Sequence, residues 1–532
     1  MSDALDLRDR AKVFSALEAQ TFDLVVIGGG ITGAGVARDA ALRGLTVALI
    51  EARDFASGTS SRSSKMIHGG LRYLAQGDTG LVKEAASERQ VMRRIAPHLT
   101  RISPFIVPAP NLASVAKLRA GLWLFEKLGE APAAEHHQMW SKAELAEREP
   151  ILDSSGFHSA AVYPEFLTDD ARLTLANVRG AVGEGAVAIN YAKAVQLLGE
   201  PIDTVVVRSD LAGETLEARV KARVVVNAAG PWVDALRALE EGGAAPRLTL
   251  TKGVHVVLPH ARVPINHTVI LRGADKRGLF AVPRGGFTYL GTTDTFYPDA
   301  ETWPEITPED VRYLFDGAQR SLKIAPLTFD DIVAVWSGVR PLVAQAGKSP
   351  SEISRRDEVW TGPSGMITIA GGKLSAYRAM AERIVDTVVE RLGKPARPVS
   401  TGEAFLPGGD YDPATLAASA ALKGLGDAAP RLIDLYGSEA EAVAADGGDV
   451  AAEARRAVLF EGAQRLEDWW VRRSVRAWFS ADAGLSVLGP AAEVMAGLLG
   501  WDVARTVAEV ANCQAIHDNS RAALVAAGTV DQ

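Results

Sequence analysis

Residues 22–35 constrain the fold of this chain more than any other stretch. Leu24–Ile27 is a short run of β-branched and apolar residues, which predicts a strand buried on both faces. Gly28, Gly30 and Gly33 follow it with the spacing G-x-G-x-x-G. In this pattern the first glycine permits a tight turn, the second lets the backbone approach a pyrophosphate, and the third lets the next helix pack closely on the strand. The N-terminus of that helix would then offer free N–H groups to the phosphates.

The residues after the glycines complete the context of a dinucleotide-binding unit. A helix is predicted over Ala34–Arg43 with Gly44 at its end, and a second strand is predicted over Thr46–Ile50. Glu51 ends that strand, about 20 residues past the glycines, where an acid binds the ribose hydroxyls in such units. A tight βαβ turn that binds nothing is the alternative. The complete context favours an α/β fold that binds a dinucleotide.

The bulk composition excludes several classes of protein. The chain has 532 residues, of which 47% are hydrophobic, so a large core and more than one domain are expected. The formal net charge of −8 argues against nucleic acid as the main partner. Cys513 is the single cysteine, which excludes an internal disulfide and favours a reducing compartment. Met1–Gln20 lacks the apolar region of a signal peptide, and no run of about 18 apolar residues predicts a membrane-spanning helix.

A second functional stretch runs from Ser57 to Leu74. It is rich in small hydroxyl residues and glycine, which build ligand-binding loops rather than a core. A solvated turn is the alternative, but it does not explain why His68, Arg72 and Tyr73 follow so closely. The stretch is therefore expected to bind a flat polar ligand through its backbone and hydroxyl groups.

Residues 59–74 carry a resemblance to a known family. Their run T-S-S-x-S-S-K-x-I-H-G-G-L-R-Y-L resembles the signature of FAD-dependent glycerol-3-phosphate dehydrogenases, the quinone-linked respiratory type. Further motifs similar to those of the family follow in the right order, at Asp169–Leu173, Asn227–Trp232, Lys252–His255, Gly291–Asp294, Ser337–Pro341 and Gly371–Arg378. The resemblance covers about residues 20–480.

The resemblance implies an α/β fold of the D-amino-acid-oxidase and glutathione-reductase type, with a Rossmann-like FAD-binding domain. Short alternating runs between Leu248 and Val335 predict an antiparallel sheet for the substrate domain, and the alanine-rich chain after Gly409 predicts a helical C-terminal domain. In that C-terminal domain Arg472 and Arg473 are expected on a solvated or domain-facing surface. The predicted domains are FAD-binding at 20–105, 155–245 and 335–400, substrate-binding at 106–154 and 246–334, and helical at 405–528.

The reaction implied by the resemblance is the oxidation of sn-glycerol 3-phosphate to dihydroxyacetone phosphate, with hydride transfer from C2 to flavin N5. Such a substrate needs a clamp for its phosphate, and arginine matches phosphate oxygens with its planar fork. The matching candidates are Arg72, Arg340 and Arg355, although Arg356 could take the place of Arg355. FAD is the hydride acceptor, because no side chain can accept a hydride. No metal is expected.

Other motif residues have candidate roles in catalysis. His255 is the first choice for the proton acceptor, because the pKa of histidine lies near neutrality. Arg340 could instead polarise the alcohol, and Tyr73 and Ser375 could fix the glycerol hydroxyls. Lys373 is expected near flavin N1 and O2, where it would stabilise the negative charge of the reduced ring.

The residues expected to contact FAD come from the same motifs, and His68 among them is expected to orient the flavin ring rather than to act as a base. They are Gly28, Gly30, Gly33, Glu51, Thr59, Ser60, Ser61, Ser64, Lys65, His68, Gly70, Ala229, Gly230, Gly338, Gly372, Lys373 and Leu374.

Residues 114–128 predict a helix with a possible role at a membrane surface. Lys117, Arg119 and Lys127 accompany Trp123, which suits an interfacial helix on anionic lipid. A core helix with a solvated basic edge is the alternative. The resemblance also implies a membrane quinone as electron acceptor and a homodimer. It further implies a cytoplasmic protein in peripheral contact with the cytoplasmic face of the inner membrane.

Three other functions remain open from the sequence. The first is a glycerol-3-phosphate oxidase of the same fold, which would pass electrons to oxygen and release hydrogen peroxide. The second is an amino-acid oxidase, in which an arginine holds a carboxylate, although the number of candidate arginines favours a phosphate. The third is a flavin-binding protein without turnover, and it would be favoured if no alcohol bleached the flavin.

Overall fold

The glycine-rich stretch forms a strand, a turn and a helix, as predicted. The computed structural model describes residues 3–68, 79–242, 245–275, 277–345, 347, 353 and 356–530. Within it the strand is Thr21–Ile27 and the helix is Ile31–Leu42. The helix begins three residues earlier than predicted because Gly30 is its N-cap. Gly44 follows its end with a φ of +86°, the left-handed conformation expected of a glycine there.

The described chain combines strands and helices up to residue 392, and its regular elements after that are helical. In chain order the strands are β1 (Thr21–Ile27), β2 (Val47–Ile50), β3 (Met66–Ile67), β4 (Arg101–Ala109), β5 (Gln138–Ser141), β6 (Ser159–Leu167), β7 (Val187–Ile189), β8 (Ala192–Leu198), β9 (Thr204–Ser209), β10 (Glu217–Asn227), β11 (Leu248–Pro259), β12 (Thr268–Arg272), β13 (Gly278–Arg284), β14 (Phe287–Gly291), β15 (Thr295–Phe296), β16 (Ala334–Val343), β17 (Asp357–Thr361) and β18 (Ile367–Gly371). The helices are α1 (Arg10–Glu18), α2 (Ile31–Leu42), α3 (Thr79–Ile95), α4 (Leu112–Leu128), α5 (Lys142–Arg148), α6 (Asp170–Gly183), α7 (Val233–Glu241), α8 (Pro308–Ser321), α9 (Tyr377–Leu392), α10 (Pro413–Ala418), α11 (Ala420–Lys423), α12 (Ala429–Tyr436), α13 (Ala440–Ala445), α14 (Val450–Glu461), α15 (Leu488–Leu499) and α16 (Val503–Val530). Asp468–Arg473 forms a short π-helix.

The first sheet carries the nucleotide-binding unit. Among the described residues its order is β17-β18-β10-β1-β2-β7, and β9 and β8 extend it beside β10. β1 pairs in parallel with β2 and β10, and β10 pairs in parallel with β18. The carboxyl ends of these strands therefore meet at one edge, which is where open α/β sheets bind their ligands.

Both faces of the first sheet are covered, and for this reason β1 is apolar without alternation. Leu24 and Val26 pack on one face against α2, α6 and α9. Val25 and Ile27 pack on the other face with Phe14 of α1 and residues of β8 and β9. Burial of both faces is the usual reason for a continuous apolar run in a parallel strand.

The second sheet provides the wall opposite the nucleotide-binding unit. Its order among the described residues is β15-β11-β14-β13-β12-β4-β6-β3, with β16 paired to β11 and β5 to β6. Val254 and Val256 pack on one face with Leu314 of α8. Val257 lies on the other face, in a core that also includes Trp469 of the C-terminal region. The predicted fold class, with two sheets and a helical C-terminal region, is confirmed.

The second sheet is larger than the predicted substrate domain. β4, β6 and β16 belong to it, although the domain borders drawn from the sequence assign most of these residues to the FAD-binding part. β6 pairs with β4 along nine residues, and β16 pairs with β11 along ten. No local sequence pattern indicates pairing between strands so distant in the chain. For this reason the borders of the observed sheets differ from the domain borders predicted at 105, 155 and 335. The division into three domains stays a prediction.

The C-terminal region faces the rest of the chain with buried charge. Of the two surfaces considered for Arg472 and Arg473, the structure shows the domain-facing one, because both side chains are buried. Both pair with Asp54, which lies just after β2 in the nucleotide-binding unit. The C-terminal region thus contacts the segment that follows Glu51.

Candidate active site

A cavity of about 1230 Å³ lies between the two sheets, at the carboxyl ends of β1 and β10. It is larger than the roughly 300–1,000 Å³ of a usual small-molecule site. Its walls include residues of the glycine turn and residues of β11 and β16. A dinucleotide and a small substrate together would need such an extended space.

The glycine turn packs so closely against neighbouring backbone that it has no room for side chains. A Cβ atom at Gly33 would lie 1.9 Å from the carbonyl oxygen of Gly28, and a Cβ at Gly28 would lie 2.5 Å from the carbonyl oxygen of Ala228. Gly28 also has a φ of +114°, which side chains disfavour. The N-terminus of α2 begins directly after Gly30 and supplies the positive end of a helix dipole at the cavity.

Glu51 is fixed by the backbone around it. Its Oε2 accepts a hydrogen bond from the backbone N–H of Gly29 at 2.6 Å, and its Oε1 accepts one from the N–H of Arg53 at 2.7 Å. Burial raises the pKa of this carboxyl, although the two N–H groups oppose the shift. The carboxylate is thereby held at the wall of the cavity, beside the glycine turn.

The hydroxyl-rich loop is attached to both halves of the site. The Oγ1 of Thr59 donates a hydrogen bond to the carbonyl of Val339 at 2.6 Å. The Oγ of Ser60 accepts one from the N–H of Ile31, the first residue of α2, at 2.9 Å. The loop therefore connects the start of the glycine helix to β16.

Lys65 fixes this loop in place through buried hydrogen bonds. Its Nζ is buried and donates to Oδ1 of Asp170 at 2.6 Å and to the carbonyl of Ser61 at 3.2 Å. Asp170 also accepts hydrogen bonds from the N–H and the hydroxyl of Ser63. The Lys65 side chain thus holds the loop to α6, and it does not line the cavity.

His255 lies in β11, with its ring held on several sides. Its ring stacks on Trp336 at a centroid distance of 4.8 Å and an angle of 11°. Its Nε2 is 2.8 Å from the hydroxyl of Ser64, and its Nδ1 makes no hydrogen bond within the described part of the chain. Gly291 lies opposite, where a Cβ would come within 2.1 Å of the ring. The absence of that Cβ makes room for the imidazole.

The charge state of His255 follows from its surroundings. Burial lowers the pKa of the imidazole well below its usual range, and the nearby charges of Arg340 and Lys65 act in the same direction. The ring is therefore neutral at physiological pH. A neutral imidazole has a free nitrogen lone pair and can accept a proton.

We expect the ¹⁵N shifts of the His255 ring to show no protonation step near pH 6.5. Burial lowers the pKa of this ring well below its usual range, so the transition of an ordinary histidine is absent there. The measurement is ¹⁵N–¹H correlation of the histidine rings, with the H255Q variant used to assign the signal. A titration of this signal centred near pH 6.5 would contradict the expectation.

Arg340 extends from β16 toward the end of β14. Its guanidinium donates to Oδ1 of Asp294 at 3.1 Å and to Oγ1 of Thr292 at 2.8 Å. A Cβ at Gly253 would lie 2.1 Å from Nη2 of Arg340, so the glycine makes space for the guanidinium. The side chain lines the same cavity as His255.

The turn at the end of β18 places a further positively charged side chain, that of Lys373, in the wall of the cavity. Gly371 and Gly372 both have left-handed φ angles, +76° and +82°, which no other residue adopts as easily. Lys373 and Ser375 follow them and line the cavity, and Lys373 is the N-cap of the short 3-10 turn that precedes α9. The lysine is thereby held at the N-terminal end of this helical segment.

The structure places most of the predicted site residues around one cavity. Those that line it are Gly28, Gly30, Glu51, Thr59, Ser60, Ser64, His68, Ala229, Gly230, His255, Gly338, Arg340, Gly372, Lys373, Leu374 and Ser375. Gly33, Ser61 and Lys65 lie behind this wall, where they pack or bind the loop. Gly70, Arg72, Tyr73 and Arg355 lie outside the described residues. Arg356 is exposed beside β17 and does not line the cavity.

Several residues of the site have no role in the sequence analysis. Asp294 and Thr292 bind Arg340, and Trp336 stacks on His255. Gly253 and Gly291 make room for these two side chains. Asp294, Thr292 and both glycines stand inside the motifs quoted above, so the motifs could have indicated them. The partners of each could not be inferred, because they come from strands distant in the chain.

Comparison with known proteins agrees with this geometry. Residues 23–378 match the family described as FAD dependent oxidoreductase, and residues 399–506 match the one described as the C-terminal domain of alpha-glycerophosphate oxidase. The aerobic glycerol-3-phosphate dehydrogenase of Staphylococcus saprophyticus is 38% identical over 528 residues, with 94% of each chain covered. That of Staphylococcus aureus (strain USA300) is 37% identical over 556 residues, with 98% of this chain and 100% of the relative covered. The chain belongs to the FAD-dependent glycerol-3-phosphate dehydrogenase family.

The solved structures agree with this membership. The glycerol-3-phosphate dehydrogenase from Bacillus halodurans, complexed with FAD, superposes with a TM-score of 0.81 at 32% identity, and 97% of this chain and 98% of that chain are covered. The cofactor of this family member is FAD. The site fits it, because the glycine turn leaves no room for side chains and Glu51 lies beside the α2 N-terminus.

The part of the chain that the structure describes contains neither a candidate metal site nor a membrane-spanning helix. No cluster of three or more histidine, cysteine, aspartate or glutamate side chains suited to a metal ion is found in them. Within the same residues, no helix combines the length and the hydropathy needed to cross a bilayer.

Proposed function

We propose that the protein oxidises sn-glycerol 3-phosphate to dihydroxyacetone phosphate and passes the electrons to a membrane quinone. The observation that carries the proposal is the position of His255 and Arg340 on neighbouring strands, in the wall of the cavity that the glycine turn also lines. A base and a phosphate-binding cation beside the cofactor site are the groups that this reaction needs. The names of the two staphylococcal relatives support the same substrate.

The proposed roles follow from the charge state and position of each side chain. Neutral His255 accepts the proton of the C2 hydroxyl as the alcohol is oxidised. Arg340 binds the phosphate or polarises the hydroxyl, and Asp294 fixes its guanidinium plane. Ser375 binds a glycerol hydroxyl. Arg72, Tyr73 and Arg355 are proposed to complete the phosphate and hydroxyl contacts.

The cofactor is proposed to lie along the cavity from the glycine turn to His255. FAD, when bound, supplies the hydride acceptor that no side chain can provide. Gly28, Gly30 and the α2 N-terminus would hold its pyrophosphate, and Glu51 would bind the ribose hydroxyls. The loop Thr59–Ser64 would contact the flavin ring through hydroxyl and backbone groups. The other predicted FAD-binding residues that line the cavity would contact the cofactor as well.

Replacing Lys373 by methionine is expected to lower the midpoint potential of the bound flavin by about 30–60 mV. Lys373 lines the cavity at the start of a helical segment, where it would stabilise negative charge on the reduced ring. A hydrogen bond to a charged group contributes about 1.5–3 kcal/mol, and 30 mV corresponds to about 1.4 kcal/mol in a two-electron couple. Dye-equilibrated anaerobic titration measures the potential, and an unchanged value would exclude this role.

The helix at residues 112–128 is proposed to contact the membrane surface. Trp123 is 57% exposed and Leu112 is 69% exposed, so both have apolar surface available for lipid. Lys117, Arg119 and Lys127 on the same helix suit anionic headgroups. Leu122 and Phe125 are buried on its inner side, which anchors the helix to the protein. We propose peripheral binding as a homodimer at the cytoplasmic face of the inner membrane.

Anaerobic addition of sn-glycerol 3-phosphate to the yellow holoenzyme tests the proposed substrate. Rapid bleaching of the flavin absorbance is the expected result, and sn-glycerol 1-phosphate and glycerol serve as matched controls. A replete flavin that stays oxidised would exclude this substrate and would turn the search to amino acids and other hydroxy acids.

The same sample then tests the electron acceptor. After bleaching, a quinone analogue added without air is expected to restore the yellow colour at least about tenfold faster than air-saturated buffer does. Faster reoxidation by air, with an equivalent of hydrogen peroxide formed, would establish the oxidase instead.

A further inference from the structure

We propose that the C-terminal region supports FAD binding, because Arg472 and Arg473 hold the segment Glu51–Ser57 in its cofactor-binding conformation. The two arginines are positioning residues in this proposal, since they act through Asp54 rather than on FAD itself. The proposal concerns cofactor binding alone and is independent of which acceptor receives the electrons.

The side chain of Asp54 forms a contact between the nucleotide-binding unit and the C-terminal region. Arg473 binds both oxygens of this carboxylate, with Nη2 donating to Oδ1 at 2.8 Å and Nη1 donating to Oδ2. Arg472 adds a hydrogen bond from Nε to Oδ2 at 2.5 Å. Asn190 donates to Oδ1 at 3.0 Å. Asp54, Arg472 and Arg473 are each at most 1% exposed, so water does not replace these contacts.

The two arginines are themselves fixed by the C-terminal region. Arg472 also donates to Glu467 at 2.9 Å and to Asp468 at 2.7 Å. Arg473 donates to the carbonyl of Glu461, the last residue of α14, at 2.7 Å. Each guanidinium thus forms a rigid connection between Asp54 and the helices behind it. Arginine suits this task because its planar fork sets the orientation of both partners.

Asp54 is connected in turn to the groups that would touch FAD. Its carbonyl accepts from the N–H of Ser57 at 3.1 Å, and the N–H of Ala56 donates to the carbonyl of Gly29 at 3.0 Å. The ring of Phe55 packs so closely on Gly29 that a Cβ there would lie 2.5 Å away. Glu51 binds the N–H of the same glycine. A displacement of Asp54 would therefore be transmitted to the glycine turn and to Glu51.

A second contact joins the C-terminal region to the hydroxyl-rich loop. The guanidinium of Arg62 lies 3.5 Å from the ring centre of Trp303 and 5.6 Å from that of Trp478, which belongs to the C-terminal region. The Arg62 backbone lies against β16, where a Cβ at Gly338 would come within 2.9 Å of its carbonyl oxygen. Residues 51–62 thus contact the C-terminal region at two places, Asp54 and Arg62.

The pair formed by Arg179 and Glu439 provides a matched control. It also joins the C-terminal region to the nucleotide-binding part of the chain, here through α6, with N–O distances of 2.7 and 2.8 Å. Arg179 is 2% exposed, much like Arg473, but it contacts Asp3 and Glu439 rather than residues 51–57. Its replacement weakens the interface without loosening the cofactor segment.

The test compares the release of FAD from the holoenzymes of R473K and R179K. Free FAD fluoresces more than bound FAD, so dilution of each holoenzyme gives the dissociation rate directly. We expect R473K to release FAD at least about tenfold faster than wild type and R179K to stay within about twofold. Thermal midpoints in excess FAD, which report the general weakening of the interface, are expected to fall by similar amounts in both variants.

Equal release rates from R473K and R179K, at equal thermal midpoints, would overturn the proposal. If R473K does not fold, R472K takes its place in the same comparison, since it leaves the two hydrogen bonds between Arg473 and Asp54 intact. Its release rate is then expected to exceed that of R179K by at least about threefold, and equal rates would again overturn the proposal.

Discussion

Replacing His255 by glutamine is expected to lower the rate of anaerobic flavin reduction by sn-glycerol 3-phosphate about 10²–10⁴-fold, the usual contribution of a general base. The imidazole is neutral because burial disfavours its charged form, and a neutral ring keeps the nitrogen lone pair that a proton acceptor needs. Glutamine can still hydrogen-bond to Ser64 at the position of Nε2, but it has no basic nitrogen. Stopped-flow absorbance at saturating substrate measures the rate.

Ser64→Ala is the matched control for this prediction. It removes the hydroxyl that lies 2.8 Å from the imidazole and leaves the base in place. We expect a decrease of about tenfold or less, since a single neutral hydrogen bond contributes about 0.5–1.5 kcal/mol. If H255Q reduced its flavin as fast as S64A, His255 would not be the proton acceptor, and the role would move to another group in the cavity.

Replacing Gly33 by alanine is expected to lower the affinity for FAD by about 5–150-fold, so that the purified protein contains less flavin than wild type. The new Cβ would lie 1.9 Å from the carbonyl oxygen of Gly28 and 3.3 Å from Val26, so the turn itself must move. Overpacking of this kind costs about 1–3 kcal/mol, and each 1.4 kcal/mol is about tenfold in affinity. The ratio of flavin to protein absorbance measures the loss.

Gly35→Ala in the same helix separates a local clash from a general effect on α2. Its Cβ would approach the ring of Tyr377 at 3.0 Å, and a side chain can shift by a few tenths of an ångström more easily than a backbone turn. We expect this variant to keep its FAD within about twofold of wild type. A G35A protein that loses as much flavin as G33A would show that α2 as a whole is intolerant of substitution, and the Gly28–Gly33 contact would then not explain the loss.

The two variants test separate parts of the site. The contact changed at Gly33 is local, because it joins the start of α2 to the carbonyl oxygen of Gly28 five residues earlier. The surroundings of His255 come from distant segments, since Ser64, Trp336 and Gly291 surround the ring. Flavin content and flavin reduction report on these parts separately, so each variant should affect mainly one of the two measurements.

The sequence by itself determined the local features of this protein. The glycine spacing, the apolar run before it and Glu51 after it predicted the nucleotide-binding unit, because a turn and its strand are specified by neighbouring residues. Motifs such as Lys252–His255 indicated the family and the candidate residues. The alternation of polar and apolar residues after Leu248 predicted an antiparallel sheet.

Only the tertiary structure decided how these pieces meet. The pairing of β16 with β11 places Arg340 and His255 at one cavity, and no local pattern reveals which distant strands will pair. Burial, which sets the neutral state of His255, comes from Trp336 and its neighbours on another strand. From the sequence, Arg472 and Arg473 could lie on a solvated surface or face another domain, and the structure buries them against Asp54. The sequence could not choose between the two surfaces, because the partner that makes burial of a charge possible lies more than 400 residues away.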